Sequence, residues 1–108
     1  MGLFKKRYEK NVSRDNEFFK KYAARVNGLL LFTENNAAVT AELNALKDDF
    51  QYTVATPDKA AKPIEKKITE NFENLVSALE APQWEEADVL RMIKIIRRSI
   101  TEINSLRS

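Results

Sequence analysis

The chain has no cysteine and no histidine, and its 108 residues include only two glycines and three prolines. Without thiols it can build neither a disulfide framework nor a thiolate metal site, and a reducing cytoplasm is the compartment this usage predicts. Without imidazole it lacks the commonest general base near neutral pH and the commonest metal ligand. The Glu-x-x-His ligand pairs of ferritin-like di-iron bundles are excluded on the same ground. Gly2 and Gly28 are too far apart to form a phosphate-cradling loop, so neither a dinucleotide fingerprint nor a P-loop is present. The longest uninterrupted apolar run, Leu29 to Phe32, is far too short for a membrane span or for the apolar region of a signal peptide. The opening Met1-Gly2-Leu3-Phe4-Lys5-Lys6 places Lys6 where a myristoylation site needs Ser or Thr, so no lipid anchor is expected.

What is present favours helices. Hydrophobic residues make up 44% and charged residues 31% of the chain, a balance that can bury a core and is too apolar for a disordered segment. Ala, Glu, Lys, Leu, Asn and Ile are abundant, and the turn residues that many short strands would need are scarce. A chain of this length supports one domain, and no internal repeat, low-complexity tract or Gly/Ser linker divides it. The expected organisation is a basic tail over 1–12 followed by a single helical domain over 13–108.

Four stretches carry helical periodicity. The first begins near Asp15, with Ser13 or Asp15 as its cap, and places Phe19, Tyr22, Val26, Leu29 and Leu30 on one face. Leu31 and Phe32 continue the apolar character around the helix, which predicts a buried end. After the turn residues Thr33-Glu34-Asn35-Asn36, a second helix carries Val39, Leu43, Leu46, Phe50 and Val54 at steps of 4, 3, 4 and 4. Thr56-Pro57-Asp58 and Lys62-Pro63 interrupt the pattern, so a third helix is expected to start close to Pro63. It aligns Ile64, Ile68, Phe72, Leu75 and Leu79, with Val76 alongside, and ends at Ala81-Pro82. The last helix repeats Val89, Ile93, Ile96, Ile100 and Ile103, the seam of a bundle or coiled coil. These four amphipathic helices joined by short turns predict an all-α fold, an antiparallel four-helix bundle. The alternative is a three-helix bundle in which the first two helices fuse across Asn35-Asn36.

Charge is distributed unevenly behind a net +2. Residues 1–25 carry eight Lys/Arg against three Asp/Glu, residues 26–90 carry five against twelve, and residues 91–108 carry five against one. An even number of antiparallel helices returns the chain to its starting end, which would gather Lys5, Lys6, Arg7, Lys10 and Arg14 with Arg97, Arg98 and Arg107 into a basic pole. If the first and last helices are neighbours, Lys20, Lys21, Arg91 and Lys94 extend that pole into a basic edge opposite an acidic one. Such a pole suits an anionic membrane surface, because Leu3, Phe4 and Tyr8 interleave with the cations, or an acidic protein. Nucleic acid is disfavoured by the near-balanced charge and the lack of a recognition motif. Arg97, Arg98 and Arg107 are also what a helix C-terminus attracts for reasons of stability alone.

The carboxylates offer little chemistry. Asp48 and Asp49 are adjacent on a helix and point about 100° apart, the look of a solvated surface. Glu85, Glu86 and Asp88 open the last helix, where its dipole favours negative charge. Trp84 beside them suits a lid on the end of the core. The small helical secretion factors with a Trp-x-Gly turn are similar in length, but Glu86 stands at the glycine position, so their defining turn is missing. No cofactor, metal ligand set or catalytic residue is assigned. A carboxylate-based metal-dependent enzyme is the reading of another class, requiring two acids to converge on one buried site. The leading expectation is a non-enzymatic interaction module that binds a protein partner, or a second copy of itself. Ala38, Ala41 and Ala45, in line with Tyr52, form a small-residue stripe on the second helix that would let another helix approach closely.

Overall fold

The structure, a computed structural model, describes residues 17–106. The tail assigned to 1–12 and the Ser13 or Asp15 cap lie outside the described residues. Four helices follow one another: α1 (17–29), α2 (Ala37–Tyr52), α3 (Ala61–Glu80) and α4 (Glu86–Ser105), with a short 3-10 turn, Leu30–Phe32, continuing α1. They form an all-α four-helix bundle in which successive helices run antiparallel. The fused three-helix alternative is excluded because 33–36 breaks the chain between α1 and α2.

That break is built from side-chain hydrogen bonds to the backbone. Asn36 caps α2 by accepting from the Val39 N–H at 3.0 Å. The Thr40 hydroxyl donates to the Thr33 carbonyl at 2.6 Å while its oxygen lies 3.0 Å from the Thr33 hydroxyl, closing the corner. Asp58 organises the start of α3: its Oδ1 accepts from the Ala60 N–H at 2.9 Å and its carbonyl accepts from the Ala61 N–H at 3.0 Å. The helix therefore begins at Ala61, two residues before Pro63, which still falls in the first turn where its missing N–H costs nothing.

The core is the expected set, except that Leu30 and Ile64 are half-buried and Leu31, Phe32 and Val54 are exposed. Phe19, Tyr22, Val26 and Leu29 of α1, Val39, Leu43, Leu46 and Phe50 of α2, Ile68, Phe72, Leu75 and Leu79 of α3, and all five members of the α4 seam are buried. Leu31 and Phe32, expected at a buried end, are instead 72% and 47% exposed. The tighter 3-10 winding after Leu29 leaves the α-helical period, and the chain turns away before they can reach the core. Val54, expected on the apolar face of α2, is 40% exposed because the helix stops at Tyr52 and Thr53 is already extended.

The helices do not sit in sequence order around the bundle. Arg25 and Tyr22 of α1 bond to Glu73 and Thr69 of α3, and Arg97 and Asn104 of α4 bond to Glu42, Asp49 and Thr53 of α2. α4 packs along both α3 and α2, whereas α2 and α3 hardly approach one another although they are consecutive. The order around the bundle is thus α1, α3, α4, α2, and α1 lies diagonally opposite α4. This overturns the expected basic edge of adjacent first and last helices. Each basic helix is set against an acidic one, a lower-energy arrangement because opposite charges meet and like charges are held apart.

Candidate functional site

Between α2 and α4 the surface opens into a groove of about 570 Å³, lined by Glu42 and Asp49 from α2 and by Leu90, Lys94, Arg97, Arg98 and Thr101 from α4. On α2 the groove borders a run that includes small residues. Ala38, Glu42, Ala45, Asp49 and Tyr52 recur at steps of 4, 3, 4 and 3, so they share one stripe of the helix. Alanine carries only a methyl group, too little to fill the space between two helix cylinders. Ala38 and Ala41 are exposed, Ala45 is half-buried and Tyr52 is 79% exposed at the end of the stripe. The small-residue stripe proposed from sequence therefore borders this groove, whose own lining on α2 is Glu42 and Asp49.

Arg97 forms the floor. Its Nε donates to Asp49 Oδ2 at 2.6 Å and its Nη1 to Glu42 Oε2 at 3.2 Å, with its side chain 38% exposed. The bond from Asp49, reinforced by Glu42, raises the guanidinium above its ordinary pKa against the opposing cost of burial. Two acids thus converge, but on a cation and half in water. The expected solvated pair is split by this contact: Asp49 is drawn into the groove and Asp48 stays exposed. Among the described residues no group of three or more acids could hold a metal ion.

The remaining proposed site residues are dispersed. Of the basic pole, Lys5, Lys6, Arg7, Lys10, Arg14 and Arg107 lie outside the described residues. Arg97 is on the flank of α4, engaged with α2, and Arg98 is exposed beside it. Of the residues expected to extend a basic edge, Lys94 lines the groove. Arg91 is on the opposite flank, paired with Asp88 at 3.4 Å, in a cleft with Asn71, Asn74, Met92 and Ile95. Lys21 sits over aromatic rings, its Nζ 4.9 Å from the centroid of Tyr22. Trp84 is half-buried against the core, as a lid would be.

Sequence reasoning missed the pairing of α2 with α4, and with it the groove. One signal was available: Glu42 and Asp49 lie on the alanine stripe at a spacing of seven, marking where a cation of a neighbouring helix should fall. Among the described residues no helix is long and apolar enough to cross a membrane. No protein-family model matches the chain, and no match to it was found among curated proteins or solved structures.

Proposed function

We propose that this protein is a non-enzymatic interaction module, working in a reducing compartment such as the cytoplasm, that binds a protein partner along the α2–α4 groove. The observation that carries this reading is the open seam itself: a groove between α2 and α4 lined by Glu42, Asp49, Leu90, Lys94, Arg97, Arg98 and Thr101, bordered on α2 by exposed small residues. A partner side chain or helix can approach the α2 backbone there without displacing core residues. Tyr52 at 79% exposure supplies a large amphipathic anchor at the end of the stripe. A second copy of the chain, packing seam to seam about a twofold axis, is the version that a purified sample tests directly.

Sedimentation equilibrium at micromolar concentration tests that version. A concentration-dependent mass that falls to the monomer in Ala41→Glu and in Tyr52→Glu supports a seam on α2. A monomer throughout removes self-association, and a dimer indifferent to both substitutions places the contact elsewhere. A basic pole resting on an anionic membrane is a weaker reading, because Arg97 is neutralised by Glu42 and Asp49 and Arg98 is the one described pole residue not engaged in this way.

A further inference from the structure

We infer that the occupant of the α2–α4 groove is an acidic amphipathic helix of another protein, recognised by carboxylates one helical turn apart; this rests on the reading of the groove as a protein-binding surface. The first ground is charge. Arg97 satisfies Glu42 and Asp49 within the groove, but Lys94 and Arg98 on its wall are exposed and have no ion-pair partner among the described residues. The wall therefore presents uncompensated positive charge to whatever enters, and complementary charge is what steers and orients an interface.

The second ground is spacing. Lys94 and Arg98 are four residues apart on α4, so their side chains leave the same face about 6 Å apart along the axis. Two glutamates at the same spacing on a helix laid along the groove would meet both cations. From Leu90 to Thr101 the wall is about 16 Å long, enough for about three turns of a partner. Leu90 at one end and the aliphatic stems of Lys94 and Arg98 give that helix apolar surface to bury, which fits the helix-in-groove mode of recognition.

Glu42 and Asp49 narrow the choice of anion. A polyphosphate backbone or a lipid headgroup layer would bring continuous negative charge over these two carboxylates, whereas a helix delivers separate carboxylates aimed at the wall and can leave the floor opposite an apolar residue. A second copy of the chain fits less well. Its exposed acids on α3 are already set against cations, Glu73 paired with Arg25 and Glu80 acting on the same guanidinium, so the surface it would present there is of mixed sign.

Fluorescence anisotropy with a labelled, helix-stabilised peptide of about eleven residues tests this, the peptide carrying two glutamates four residues apart and leucines on the adjoining face. The full chain should bind it, and Lys94→Glu with Arg98→Glu should weaken binding by about tenfold or more. Arg91→Glu, on the far flank of α4, should leave it within about twofold, and circular dichroism of each variant confirms the fold. Equal binding of a peptide with glutamines in place of the glutamates overturns the acidic specificity and leaves the groove as a protein-binding surface. An equal loss in Arg91→Glu overturns the proposal in favour of diffuse attraction. Absence of binding by both peptides, with no amide shifts along α2 and α4, defeats the proposal and the groove reading together. Binding to anionic phospholipid vesicles that depends on Lys94 and Arg98, with none to the peptide, replaces it with a membrane surface.

Discussion

The two long flanks of this bundle carry the same kind of contact and come out differently. On the α1–α3 flank, Arg25 pairs with Glu73 and lies over aromatic rings, its Cζ 5.0 Å from the Phe72 centroid and 5.8 Å from that of Tyr22. Tyr22 also contacts Phe18, Phe50 and Phe72 and donates to the Thr69 hydroxyl at 3.0 Å. On the α2–α4 flank, Arg97 pairs with two carboxylates, but among the described residues no aromatic ring lies against it. The first seam is closed by large rings and the second is left open as a groove. An ion pair across two helices therefore does not decide whether they seal; the size of the side chains beside it does, since only dispersion contacts and excluded water can fill the gap.

The comparison can be broken most severely at the rings. Phe72→Ala removes a fully buried side chain that meets both Tyr22 and Phe50, and should cost about 3–5 kcal/mol in urea unfolding. A loss below that of an ordinary exposed substitution would show that the α1–α3 seam is not sealed by its aromatics. Tyr22→Phe keeps the ring and deletes one hydrogen bond, so the expected loss is about 0.5–1.5 kcal/mol. A neutral outcome would mean that Thr69 finds water instead.

A smaller effect of opposite sign is expected at Gly28, an exposed helical residue of α1 where an added Cβ would meet nothing within 4 Å. Gly28→Ala should raise stability by about 0.5–1 kcal/mol, by reducing the freedom of the unfolded chain. Thermal unfolding of the variant measures it, and a decrease would indicate strain at that turn.

The two arginines sharpen the contrast further. Arg97→Met should cost less than about 1 kcal/mol, since its partners are partly solvated, and that cost should shrink in high salt. Arg25→Met should lose more and retain part of its cost in salt, because stacking on Phe72 is screened less than a solvated ion pair. Equal salt dependence for both would remove the distinction between the flanks.

The smallest effect is in pH. The hydrogen bond from Arg25 holds the Glu73 carboxyl below its ordinary pKa, so the folded state favours the carboxylate more than the unfolded chain does. The resulting stabilisation is complete above the ordinary carboxylate range and disappears as pH falls through that range to the folded value. The difference in melting temperature between the native chain and Glu73→Gln should accordingly be present at neutral pH and vanish in acid.

Much of the fold was legible because burial imposes a period on the residues themselves. Val89, Ile93, Ile96, Ile100 and Ile103 could satisfy only a helix with one buried face, and all five are in the core. Asn36 could be read among the capping and turn residues before α2 because its short side chain reaches the backbone a few residues away, and the start of α3 from the prolines that interrupt the pattern. Leu31 and Phe32 misled for a related reason: composition reports that a segment is apolar, but their exposure depends on where α1 changes to a 3-10 turn. The candidate groove was half legible. The alanines of α2 marked a place of close approach and Lys94 and Arg98 stood out as basic residues, while the pairing of α2 with α4 that brings them to one groove was invisible.

Local sequence determined the four helices, the cap of α2 and the apolar faces, because those depend on interactions within a few residues and on a period that the chain carries wherever it packs. Only the tertiary structure decided which helices became neighbours. An amphipathic helix shows that one face must be buried, but it does not name the face that will cover it. Here α2 met α4 and not α3, and Arg97, a member of the expected basic pole, became the floor of a groove because two carboxylates 48 and 55 residues away lie within its reach.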